Sequence, residues 1–115
     1  MVDVVLTKQA IESGETETLV EWAREVRERD AEAVETLRDE GMYAETAFVE
    51  HTDDGDFLVY YMKAEDIDAV YEAYAESSHA IDEDHEAVMR EVLATGEDVG
   101  DYDLLYHLDN PDLPE

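Results

Sequence analysis

Apolar positions recur along the chain with two different periods, and the periods mark the elements. Residues 2–6 are short and β-branched and predict a strand. Ser13-Gly14 breaks the pattern, with Ser13 suited to an N-cap and Glu15 and Glu17 suited to the positive end of a helix dipole. Leu19, Trp22, Ala23 and Val26 follow at helical spacing. Asp30 interrupts that stripe and predicts a kink or a second cap. The stripe resumes with Ala33, Val34 and Leu37, until Gly41 stops it. Residues 43–51 and 57–62 read as the next two strands, joined by Asp53-Asp54-Gly55-Asp56, a hairpin turn with glycine for positive φ. From Asp66, the positions Ile67, Val70, Tyr71 and Tyr74 make a second helical stripe, weakened at Ser77-Ser78. Ile81, His85, Val88, Met89 and Val92 make a third, before Gly96. Residues 102–108 predict a last strand, and Asn110-Pro111 closes the pattern.

The order β-α-β-β-α-β predicts an α+β fold of the ferredoxin-like plan, a four-stranded antiparallel sheet with both helical regions on one face. The strands are apolar on both sides. Phe57, Val59 and Tyr61 point one way and Leu58, Tyr60 and Met62 the other, while Tyr102, Leu104 and Tyr106 oppose Leu105 and His107. A sheet with one wet face alternates more cleanly. A second protein layer is therefore expected on the helix-free side, as a homodimer through the sheet face. In strand order, length and two-faced sheet the chain resembles the dimeric α/β-barrel superfamily, whose sheets pack in pairs into a barrel. More narrowly, Met42-Tyr43-Ala44-Glu45-Thr46-Ala47-Phe48, the Tyr60-Tyr61 strand and Ile81-Asp82-Glu83-Asp84-His85 resemble a group of small bacterial and archaeal proteins without an assigned activity. Trp22 and Gly41-Met42-Tyr43 resemble the sugar mutarotases of the superfamily. The first-helix histidine of that branch has no counterpart between Met1 and Glu50.

Charge changes the picture most. The 115 residues carry 34 acids and seven bases, a formal net charge of −27, with the acids spread along the whole length. Such a surface repels itself unless salt screens it. The pattern resembles haloarchaeal cytoplasmic proteins, and the rival reading is an acidic mimic of nucleic acid. With 44% hydrophobic residues the chain is patterned to fold, and the whole of 1–115 reads as one domain. There is no cysteine, hence no disulfide or thiolate chemistry. From Met1-Val2-Asp3 no signal peptide is expected, and no run approaches the ~18 apolar residues of a membrane span. A cytoplasmic setting is expected, without nucleic-acid or membrane contact.

Candidate chemistry is sparse. Glu45 shares a strand face with Tyr43, Ala47 and Val49. Buried there, it needs a partner, and with His85 or a tyrosine it can act as a general base. His85 and Glu45 are the catalytic candidates. Trp22, Tyr43, Tyr61, Tyr106 and His107, with Tyr60 and Tyr102 beside them, are the candidates to line a pocket for a planar or sugar-like ligand between sheet and helices. The bland reading makes the same aromatics core. His79, Asp82, His85 and Glu86 drift along one helix side, a weak metal pattern that the Ser77-Ser78 break undermines, and no metal is expected. No phosphate loop, nucleophile elbow or zinc-protease motif occurs, so no cofactor is expected. The alternative to a small-molecule domain is a structural or interaction module.

Overall fold

The computed structural model describes residues 2–112; Met1 and residues 113–115 lie outside the described part. The elements are β1 (Asp3–Ala10), α1 (Thr16–Glu28), α2 (Asp30–Glu40), β2 (Met42–Thr52), β3 (Gly55–Ala64), α3 (Ile67–Ala75) and α4 (Ala80–Val92). The strands form one antiparallel sheet in the order β1-β3-β2. The fold is α+β, but the sheet has three strands. This overturns the four-stranded, ferredoxin-like sheet and the paired-sheet barrel built on it.

The missing strand has a local cause. After α4 the chain touches the outer edge of β1 through an Ile11–Leu93 bridge, and the Ala94 amide donates to the Ala10 carbonyl at 3.0 Å. Gly96 then turns with φ 76°, and the edge amide of Lys8 is taken by the Asp98 carboxylate at 2.9 Å, not by a strand carbonyl. A side chain in that place ends the ladder. Residues 102–108 run on as irregular chain, with Leu105 89% and Leu108 80% exposed. Beyond the Val99 amide, which donates to the Lys8 carbonyl, no later described residue joins the ladder.

The two helical regions are four helices. α1 ends where Asp30 breaks the apolar stripe, and the Arg29 amide reaches back to Glu25 and Val26. Ser13 is not the cap of α1; Glu15 holds that position without a side-chain bond. Gly41 closes α2 in the left-handed region at φ 72°. Asp66 caps α3, its carboxylate accepting from the amides of Asp68 and Ala69. Ser77 separates α3 from α4, donating to Asp82 at 2.6 Å and accepting from the His79 amide. In the hairpin, Gly55 alone takes positive φ (126°), so Asp53 and Asp54 keep ordinary backbone angles.

Pairing fixes the two sides of the sheet. Leu58, Met62 and Ala64 of β3 are buried against the helices. One core cluster joins Leu58 to Ile11, Leu19, Trp22, Ile81 and Val92, and a second joins Met42, Met62, Ala64 and Val70; Tyr60 packs against both. Phe57, Val59, Tyr61 and Lys63 face the other way. Among the described residues, no helix is long and apolar enough to cross a membrane.

Candidate functional site

Between the helix layer and the sheet lies an open cleft of about 1210 Å³. Its floor is β3 at Leu58 and Tyr60, its far wall is β2 at Glu45, and its roof comes from α1 and α4 at Trp22 and His85. The lining is largely apolar, with aromatic rings from Trp22, Tyr60 and Tyr74, because the helical stripes and the alternate positions of the strands point inward at one another.

His85 stands at its centre. The sequence places it on the α4 stripe between Ile81 and Val88, which turns it toward the sheet. Its Nε2 lies 3.0 Å from the Tyr60 hydroxyl and its Nδ1 lies 2.8 Å from the Tyr74 hydroxyl. The Tyr74 ring meets the imidazole edge-on with centroids 5.7 Å apart, and Trp22 lies 6.1 Å away. A neutral imidazole has one N–H and one acceptor nitrogen, so it donates to one tyrosine and accepts from the other. Burial holds the imidazole below its ordinary range, against the pull of Asp82 and Glu86. Burial also pushes both phenols up, Tyr74 to about 12, so they remain protonated partners.

Glu45, Glu40 and Asp82 line the cleft beside this array. Glu45 is open to water at its residue surface, yet protein atoms crowd its carboxylate. Desolvation first, then Asp82, push it above the usual range. Glu40, at the end of α2, is pushed up to about 7 by burial and then by Asp82 and Glu45, against a bond from Thr36. It also lines a smaller adjoining cavity of about 190 Å³ with Asp82 and His79. Among the described residues no hydrogen bond or ion pair joins Glu45 to His85, and no group of three metal-ligating side chains forms. His79 turns away to Asp39, with Nε2 and Oδ2 2.6 Å apart.

The structure therefore gathers Trp22, Glu45, Tyr60 and His85 and separates them from Tyr43, Tyr61, Tyr106 and His107. A bulge between Met42 and Ala44 flips Tyr43, so it does not share the face of Glu45, Ala47 and Val49. It bonds Glu65 and lies against Lys63 on the helix-free side. Tyr61 faces that side too, opposite Leu6 and Thr46. Tyr106 is 76% exposed and His107 lies near Asp109, both on the irregular C-terminal segment. Tyr74 and Glu40 complete the site and were missed. Tyr74 was visible only as one member of an apolar stripe. Its meeting with His85 depends on the turn at Ser77, which carries no spacing signal. Glu40 gave no signal among 34 acids.

A family model described as "Family of unknown function (DUF6176)" matches residues 2–113, and the chain belongs to that family. No curated protein and no solved structure matches it.

Proposed function

We propose that this member of the DUF6176 family binds a small, predominantly apolar molecule in the cleft and handles a proton there through His85. The observation that supports this reading is the imidazole held between two phenols, Tyr60 at 3.0 Å and Tyr74 at 2.8 Å, inside a cleft large enough for a ligand. A buried neutral histidine has an N–H and an acceptor nitrogen to satisfy, and the two phenols serve both. Two phenols on opposite ring nitrogens fix its plane, and because each can donate or accept, either nitrogen can carry the proton, so a proton taken up on one side can be passed to the other. Glu45 at the cleft wall, with its raised pKa, is the second proton-handling group. Trp22 offers an aromatic face to a planar ligand. We also infer concentrated salt as the working medium, on the net charge of −27, and a cytoplasmic setting.

The test is a titration in molar KCl with neutral, planar, predominantly apolar compounds, reading two signals at once. Trp22 is the only tryptophan, so its emission reports occupancy of the cleft roof. The nitrogen resonances of His85 report contact with the imidazole. Compounds that change the first should move the second, and Tyr74→Phe should weaken them about tenfold by removing one hydrogen-bond partner. Binding that leaves His85 unmoved, or none at all across such a set, would sink the reading.

A further inference from the structure

We propose that the Tyr60–His85–Tyr74 array rests in one orientation, Tyr60 O–H to Nε2 and Nδ1–H to Tyr74, which leaves the Tyr74 O–H as the donor that the cleft offers to a neutral hydrogen-bond acceptor on its ligand, such as a planar ketone. This names the polar group of the ligand inferred above and rests on that reading.

The argument begins with the hydrogens. Each phenol carries one, and the neutral imidazole carries one. The bonds at 3.0 Å and 2.8 Å use two of the three, so one is left at an end of the array. Among the described residues neither phenol oxygen has a second partner. With the imidazole hydrogen on Nε2, Tyr74 donates to Nδ1, and the spare hydrogen is that of Tyr60. With it on Nδ1, Tyr60 donates to Nε2, and the spare hydrogen is that of Tyr74.

Burial separates the two cases. Tyr60 packs against both core clusters, and Tyr74 belongs to neither. Desolvation accordingly raises the pKa of Tyr60 further than that of Tyr74. A buried hydrogen without an acceptor is an arrangement that folded chains avoid. The spare hydrogen therefore belongs on Tyr74, which lines the cleft, where water or a ligand can meet it.

Charge points the same way. Asp82 and Glu86 act on His85, and the same two carboxylates lead the charges acting on Tyr74. The carboxylate acting on Tyr60 is Glu45. An imidazole N–H turns its positive end toward negative charge, so the side facing Tyr74 favours the hydrogen. A phenol that accepts from Nδ1–H is in turn a stronger donor, since linked hydrogen bonds polarise one another. Glu40, Glu45 and Asp82 line the same cleft and oppose an anionic acceptor. A neutral carbonyl meets the donor without that repulsion.

The experiment has two arms, both on the full chain in molar KCl. The first needs no ligand. Nitrogen-labelled histidine, observed by NMR above neutral pH, should show the hydrogen of His85 bonded to Nδ1, with a His85→Gln sample assigning the signal among the four histidines. Tyr60→Phe removes the donor to Nε2 and should let the Nε2–H form appear. An Nε2–H form in the wild type, or a tautomer indifferent to Tyr60→Phe, would overturn the orientation. The second arm titrates acetylnaphthalene and isopropylnaphthalene, which share a shape and differ in the carbonyl. The ratio of ketone to hydrocarbon affinity should fall about tenfold in Tyr74→Phe. An unchanged ratio would overturn the assignment of Tyr74 as donor while leaving an apolar cleft in place. Binding of neither compound would remove the ligand reading itself, and the acceptor with it.

Discussion

Glu40 shows what a single carboxylate does when the surroundings give it no cation. Its folded pKa is pushed up to about 7 from 4.5, by burial and then by Asp82 and Glu45, while His79, itself paired to Asp39, pulls only weakly the other way. Below the ordinary carboxylate range, folded and unfolded chains both carry the proton and the residue is neutral in the balance. Between 4.5 and about 7 the folded chain keeps a proton that the unfolded chain has lost, so stability falls as pH rises through that window. His85 has the opposite sense. Its depressed pKa makes the unfolded chain the better proton binder, so its contribution is lost as pH falls. Glu40→Gln removes the first slope and leaves the second. The variant should gain on the order of 1 kcal/mol above neutrality, after allowance for solvent screening of a half-buried group, and nothing at acid pH. Urea unfolding at several pH values measures this, and a gain independent of pH would assign it to packing instead. At this scale the sequence was partly readable. Glu45 and His85 could be picked because a polar residue on an apolar face is conspicuous. Tyr43 could not be placed, since the bulge before Ala44 leaves no mark in composition and moves it to the opposite side.

Elements with a local cause were legible; those that depend on an edge were not. The hairpin, the break at Asp30, the stop at Gly41 and the break at Ser77-Ser78 each rest on one or two residues with restricted backbone chemistry. The expected strand over 102–108 needed to run along a strand edge, and the chain instead leaves β1 where the Asp98 carboxylate takes the Lys8 amide. Alternation alone does not provide a partner. The break at Asp30 has a further consequence. Arg29 sits at the junction and ties three helices: Glu25 on α1 at 2.8 Å, Glu32 on α2 at 2.7 Å and Asp84 on α4 at 2.8 Å. Its planar fork answers Glu32 through two nitrogens, which a lysine ammonium cannot copy. Arg29→Lys should therefore loosen the junction while keeping the charge. Amide hydrogen exchange should quicken at residues 28–31 and near Asp84, with β3 unaffected. Equal protection in both proteins would reduce the network to surface decoration.

For the whole molecule the decisive quantity is the excess of 27 negative charges. Its distribution is uneven: the helices carry most of the acids, while β1 and β3 have runs of seven and eight residues without any. Folding gathers the charged helices on one side of a sheet that contributes little charge, so repulsion is concentrated in the layer that roofs the cleft. At ~0.1 M salt the Debye length of about 10 Å spans neighbouring carboxylates on adjacent helices, and at ~1 M it shrinks to about 3 Å and does not. The helix layer should therefore open first on dilution. Circular dichroism should lose helical signal as KCl is reduced from molar levels to dilute buffer, before the β2–β3 hairpin is lost by amide exchange. Replacing Glu17, Glu21 and Glu28 on the outer face of α1 with glutamine should move that transition to lower salt, because the same repulsion is then smaller. If the ions act by screening, sodium and potassium chloride at equal ionic strength should give the same midpoint, and a transition that follows the identity of the cation would point instead to bound ions. A full helical spectrum in dilute buffer would mean that packing of Trp22, Leu58 and Val92 outweighs the charge unaided.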